Sequence, residues 1–429
     1  PAAPPTPPRG GPLRGLDQPQ LRPAAPVLGS IAGAWFAVAA HPGTADAAES
    51  ESGGDWDPWI GRTETPSPRR GAFAEPVGAI VARQLASLRQ TPGQLRLVPV
   101  VSSNLEGLED ERGRPAHVVL VFLESYGVTL LDDPQHFPAI APTFRDVERR
   151  LVTDGYFVRS VRARSPTFGG GSWRAHATLM SGLWIDNERL YDRLLDSERR
   201  TLPHLLAARG YRTVAAEPGI RDAWPEAEWF GFDRIYDAAG LDYRGAEIGW
   251  WKIPDQFTLY KIWRDELHDA EAPVFAKLSL ILSHIPYKPI PPLVEDWTSF
   301  ERGTAYDSAL ASVAHDDYRD LQELSSRYVD AFRYELESLE KWLLELVPEN
   351  TLVIISGDHQ PPKLATHAND SWDVPLHVLS RRRELVDAFA EAGFVDGLLP
   401  PRDARLPMDA FLPAFLSGFD RPERLAAAQ

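Results

Sequence analysis

The sequence has no cysteine. That excludes structural disulfides, thiolate metal sites and a cysteine nucleophile. A basic excess is also missing: the formal net charge is −16, and Lys and Arg are scattered along the chain. A nucleic-acid binder needs a basic face to neutralise phosphates, so no nucleic-acid partner is expected. An anionic substrate remains compatible, because a metal ion or a few local groups override the global field. Nor does the chain contain the roughly 20 consecutive apolar residues that a spanning helix requires. The nearest approach is PAAPVLGSIAGAWFAVAA, residues 23–40, uncharged but rich in Ala and Gly. With Arg9, Arg14 and Arg22 ahead of it, this stretch reads as an export-signal core, the end of a membrane span, or a packed apolar segment. Internal repeats are absent as well.

What is present is apolar material for a large core, 43% of 429 residues. A chain that begins with Pro reads as processed from a longer one. Residues 1–75 form a Pro- and Arg-rich lead-in, the apolar segment and a Gly/Ser/Pro-rich linker. Within 76–115, PVGAIVARQLASLRQ has helical spacing over 76–90 and is followed by a connector. From 116 to 429 the pattern changes to that of a folded domain. HVVLVFL (117–123) is a continuous β-branched run, as expected of a strand buried on both faces. TLPHLLAARGYRTVAA reads as helix, glycine stop and strand. VFAKLSLILS (274–283), ENTLVIIS (349–356) and VPLHVLS (374–380) are further strands. Leu321, Leu324, Tyr328, Phe332, Leu336, Leu339, Leu343 and Leu346 repeat at helical period through 317–347. Strands alternating with helices predict an α/β fold, a mainly parallel sheet with helices on both faces.

In such sheets reactive groups gather past the carboxyl ends of the strands. VFLESYG puts Glu124 there, VIISGDHQ puts Asp358 and His359, and LILSHIPY puts His284. Each has an ordinary alternative: a capping carboxylate, a loop hydrogen-bond pair, a packed imidazole. Together they bring acids and imidazoles to one edge. SPTFGGGSWRAHATLMSG (165–182) then places Ser172 between three glycines and a predicted helix. A hydroxyl at a helix N-terminus meets the positive end of the dipole. It serves either as an ordinary cap or as a nucleophile activated by a divalent metal. Glu124, Asp358 and His359 supply the other ligands. Mostly oxygen with one nitrogen suits Mn²⁺, Mg²⁺ or Zn²⁺.

These pieces resemble the alkaline phosphatase/sulfatase superfamily. VFLESYG, GGGSWRAHATLMSG, TLPHLLAARGYRTV, LSHIPY, YVDAFRYELESLEKWL and NTLVIISGDHQ occur in the family's order, and the likeness is greatest to the lipoteichoic acid synthase and phosphoethanolamine transferase branches. The resemblance implies an alkaline phosphatase-like three-layer sandwich. It implies one divalent ion, Mn²⁺ ahead of Mg²⁺ or Zn²⁺, held by Glu124, Ser172, Asp358 and His359. Ser172 falls at the nucleophile position, and His284 matches a histidine that contacts the transferred group. Trp224, Arg174, Arg221 and His367 are the further substrate-binding candidates. The implied partners are a phospholipid donor and a glycan or lipid acceptor, at the outer, periplasmic side of a bacterial membrane.

Two departures shape the expectation. Sulfatases carry Cys/Ser-x-Pro-x-Arg, whereas here Arg174 and His176 occupy the Pro and Arg positions, so sulfate ester hydrolysis is disfavoured. Phosphoethanolamine transferases usually carry disulfides, so the absence of cysteine tilts toward the phosphoglycerol branch. That branch has a His and an Arg where EPGIRDAWPE places Glu217 and Glu226, while Trp224 is kept. The expected activity is transfer of a phosphoryl-alcohol group, phosphoglycerol first. The alternatives are hydrolysis of phosphoesters with water as acceptor, then a sulfatase, then a non-catalytic binding module.

Overall fold

The computed structural model describes residues 103–421, apart from 223, 249–251, 307–320, 364 and 366–369. The segments expected over 1–75 and 76–90, and His367, lie outside the described residues. Among those described, no helix is long and apolar enough to cross a membrane.

The centre is a nine-stranded sheet. Its strands are β1 (His117–Leu123), β2 (Phe157–Arg164), β3 (Arg212–Glu217), β4 (Arg234–Asp237), β5 (Val274–Leu280), β6 (Thr351–Gly357), β7 (Asp373–Ser380), β8 (Val395–Asp396) and β9 (Arg405–Pro407). The order is β4-β3-β5-β1-β6-β7-β2-β8, with β9 beside β2. β4, β3, β5, β1 and β6 are mutually parallel. β7 runs opposite to both β6 and β2, so β2 points the same way as the parallel set. The carboxyl ends of β1, β2, β3, β5 and β6 therefore share one edge.

Period-2 alternation along the strands divides the core into two layers. Val119, Val121 and Leu123 of β1 pack on one face with Phe144, Tyr328, Phe332 and Leu339. These come from the long helices His136–Thr153 and Leu321–Glu345. Val118, Leu120 and Phe122 pack on the other face with Ala175, Leu179, Phe411 and Phe415, from the helices Ser172–Ser181 and Phe411–Phe419. A strand run apolar at every position is thus explained by helices on both faces. This is the three-layer arrangement expected of the sequence. Residues 103–115 pack onto the same body, burying Leu105 and Leu108.

Two elements differ from expectation. β5 ends at Leu280 rather than 283, because Ile281 and Leu282 donate their backbone N–H groups to the Asp255 carboxylate. FVRSVRAR forms β2, a strand the apolar pattern did not reveal. Its Arg162 is buried because it makes a two-pronged pair with Asp132, at 2.6 and 3.0 Å, and bonds Pro400 O.

Candidate active site

Three chain segments reach the carboxyl edge of the sheet and build one cluster. β1 delivers Glu124, β6 delivers Asp358 and His359, and β2 leads through residues 165–171 to Ser172. Gly169, Gly170 and Gly171 have φ of 67°, 143° and 82°. Three successive residues in that region are open only to glycine without strain. Gly171 takes the cap position of the helix, and no side chain caps it. Ser172 is consequently not a capping serine. Its Oγ donates to Glu124 Oε2 at 3.1 Å and lies 3.3 Å from His359 Nε2.

Glu124, Asp358 and His359 are buried, and one ligand atom from each lies within 4.8 Å of the others. Every remaining polar atom is engaged. Ser125 donates its Oγ to Glu124 Oε1 at 2.9 Å and its N–H to Asp358 Oδ1 at 2.8 Å. It does so from a left-handed backbone, φ 59°, a strain tolerated where surrounding contacts over-determine the position. Tyr328 OH fixes the Ser125 carbonyl at 2.8 Å. β6 can end this close to β1 because residue 357 is glycine; a Cβ there would sit 2.0 Å from Tyr126 O. His359 Nδ1 donates to Gln360 O at 2.7 Å. That fixes the tautomer and turns Nε2 toward the carboxylates, as a metal-binding imidazole requires.

The electrostatics are those of acids crowded together under burial. Burial, then the Glu124 carboxylate, pushes the Asp358 carboxyl up to about 7. Burial opposes the His359 imidazolium, but Asp358 and Glu124 outweigh it and hold its pKa above the ordinary value. Two buried carboxylates, an imidazole held by its far nitrogen and a hydroxyl are a donor set that fits a divalent cation.

His284 follows β5 on the same edge. Its Nδ1 donates to Ile285 O at 2.6 Å, and burial lowers its pKa to about 4. It is therefore neutral at pH 7, with Nε2 as the acceptor nitrogen. Asp358 and His359 both act on it electrostatically. Arg174 is half-buried and braces the glycine loop, donating to Thr167 Oγ1 at 3.2 Å and Asp186 O at 2.8 Å. Trp224 is half-buried against Phe230 and Phe232, and Arg221 is exposed after β3.

One neighbouring group was not singled out from the sequence. Lys277 of β5, 1% exposed, forms a buried ion pair with Glu217 at the end of β3. It also bonds Ser279 Oγ at 2.8 Å and His176 Nδ1 at 3.2 Å. His176 lies one turn after Ser172, its ring against Phe122. Burial, with Lys277 and His359, keeps it neutral, well below its ordinary pKa. The signal was a lysine inside the apolar run VFAKLSLIL.

With this geometry in view, the sequence model of the sulfatase family matches residues 116–376, more than half of the chain. The chain belongs to the sulfatase family. It thereby joins the alkaline phosphatase/sulfatase superfamily of phosphoryl and sulfuryl transferases and hydrolases. No curated protein sequence matches it. Among solved structures it is similar to the lipoteichoic acid synthase LtaP from Listeria monocytogenes, at 15% identity over 67% of this chain and 69% of that one, with TM-score 0.42. It is also similar to the Streptococcus pyogenes phosphoglycerol transferase GacH in complex with sn-glycerol-1-phosphate, at 12% identity over 80% and 81%, with TM-score 0.48. A third is the C-terminal periplasmic domain of EcEptC from Escherichia coli in complex with Zn, at 16% identity over 75% and 100%, with TM-score 0.43. Within this sulfatase-family chain, Ser172 is followed by Trp173, Arg174, Ala175 and His176.

Proposed function

We propose that this enzyme is a metal-dependent phosphotransferase that moves a phosphoryl-alcohol group, phosphoglycerol first, from a lipid donor to a glycan or lipid hydroxyl. Its place is the outer, periplasmic side of a bacterial membrane. The observation that carries the reaction class is the Ser172 hydroxyl, set between Glu124 and His359 at a helix start. An unmodified serine that attacked a sulfate ester would be trapped as a stable sulfate. A phosphodiester on the same oxygen stays open to attack at phosphorus.

Glu124, Asp358, His359 and Ser172 would hold one divalent ion, with Mn²⁺ ahead of Mg²⁺ or Zn²⁺. When bound, such an ion lowers the pKa of a ligating hydroxyl and neutralises developing charge. The chain's own residues do the rest. Ser172 Oγ passes its proton to the Glu124 carboxylate it already donates to and attacks phosphorus; the phosphoryl-alcohol group becomes attached to that oxygen, and the lipid leaves as the alcohol, its oxygen protonated by solvent. The positive end of the dipole of the helix that Ser172 opens stabilises the phosphoryl oxygens. His284, neutral with Nε2 as acceptor, takes the proton of the incoming hydroxyl in the second step. That hydroxyl forms the new bond to phosphorus as Ser172 Oγ leaves and recovers its proton from Glu124, and His284 returns its proton to solvent. Glu217 brings no uncompensated negative charge toward an anionic donor, because Lys277 neutralises it.

Parallel assays with Mn²⁺ test this reading, using phosphoglycerol lipid, phosphoethanolamine lipid, a nitrophenyl phosphodiester and a nitrophenyl sulfate. Turnover of the phosphodiesters with little or none of the sulfate is expected. Preferential sulfate turnover overturns the reading. Turnover of the ethanolamine lipid alone moves the enzyme to the sister branch, and release of free glycerol phosphate without acceptor makes it a hydrolase.

A further inference from the structure

Behind the turn that carries His284 lie two acids, both 0% exposed. Asp255 opens the helix Asp255–Ile262 and accepts the N–H of Ile281 at 2.9 Å and of Leu282 at 2.7 Å. Glu335, on the long helix Leu321–Glu345, turns its buried carboxyl toward Ser283 of the same turn. It also lies against Asp255 at hydrogen-bonding range. Two ionised carboxylates offer only acceptors, so that contact is a hydrogen bond only if one proton sits between them. Two ionised carboxylates buried side by side are also among the most costly states side chains can adopt. Asp255 already receives two N–H groups, so the ionised form belongs to it and the proton to Glu335. The groups facing the pair are Ser283 and the hydroxyls of Tyr306 and Tyr334, and none carries charge.

The turn that Asp255 grips reaches the site in two ways. Ser283 Oγ donates to the Glu124 carbonyl at 2.7 Å, and His284 N–H closes the turn on Ile281 O at 3.1 Å. We propose that Glu335 and Asp255 hold one proton between them, Glu335 as donor, and that this acid pair is the positioning device for the His284 turn. The inference rests on the phosphotransferase reading for the task of His284, but the shared proton does not.

Infrared difference spectroscopy of the whole protein tests the proton, comparing wild type with Glu335→Gln near neutral pH. A carbonyl-stretch band of a protonated carboxylic acid is expected in the wild type and absent from the variant. Kinetics on a nitrophenyl phosphodiester test the positioning. Glu335→Gln keeps an uncharged donor toward Asp255 and should hold kcat within about twofold, because the His284 geometry survives. Glu335→Leu should lower kcat on the order of 10²-fold, with KM and bound metal unchanged. A wild type with both carboxyls ionised, a Leu variant with unaltered kcat, or a Gln variant as slow as the Leu variant would each overturn the proposal. If the wild type turns over no phosphodiester, the reaction reading fails while the infrared band still decides the pair.

Discussion

The Ser172 hydroxyl donates to the Glu124 carboxylate at 3.1 Å, across 48 positions of chain. A side chain at the start of a helix ordinarily satisfies its own backbone, and this one is turned away to an acid on another strand. Ser172→Ala should therefore cost little stability, since no cap is lost. It should lower turnover on the order of 10³-fold or more, as for removal of a serine nucleophile. Steady-state kinetics beside circular dichroism check both halves. Mass spectrometry should find a phosphoryl adduct on Ser172 in the wild type and none in the variant. An Ala variant with normal turnover would end the nucleophile assignment.

Metal removal should abolish activity, and one equivalent of divalent ion should restore it. Glu124→Gln and Asp358→Asn should each lose the ion while retaining secondary structure. Elemental analysis of protein before and after chelation reads this directly, and full activity after exhaustive chelation is the contrary result.

The same cluster sets a pH dependence. With no ion, the Asp358 pKa is raised to about 7, from an ordinary value of 3.8. A folded pKa above the unfolded one gives stability that is complete below the unfolded value and is lost as pH rises through the folded value. His359, also raised, acts in the same direction. The Tm of chelated protein should therefore fall as pH rises from about 4 through 7, with His359 extending the fall above 7. Added ion should flatten that fall, because it binds the deprotonated ligands of the folded state. Thermal melts across this range, with and without Mn²⁺, are the measurement.

His284→Ala should keep the ion and lower kcat. Because its imidazole is already neutral above its pKa of about 4, the wild-type rate between about pH 6 and pH 9 should show no limb from this residue. Loss of metal from the variant would make His284 a ligand instead.

The Lys277–Glu217 pair should behave as a buried unit. Lys277→Met alone leaves a buried carboxylate without its cation and should cost about 3–5 kcal/mol. Adding Glu217→Gln should recover part of that loss, and a double-mutant cycle from urea unfolding gives the coupling. Independent, additive effects would show that the two charges do not depend on each other.

The sequence alone determined the alternation of strands and helices and the identity of the groups at three strand ends. HVVLVFL and TLVIISG carry near-continuous apolar runs because both of their faces are covered, and that pattern is visible one residue at a time. Glu124, Asp358, His359 and His284 stand out because they interrupt such runs where a parallel sheet places its chemistry. Only the tertiary structure decided what compensates the charges that break the pattern. β2 was hidden by three arginines, and Arg162 is tolerated inside because Asp132, 30 positions away, neutralises it. Lys277 is tolerated because Glu217 meets it from the neighbouring strand, 60 positions away. Ser172 likewise looks like a capping residue until the fold carries Glu124 and His359 to its hydroxyl. Burial of a polar group is decided by the partner that satisfies it, and that partner is brought by the fold, not by the neighbouring residues.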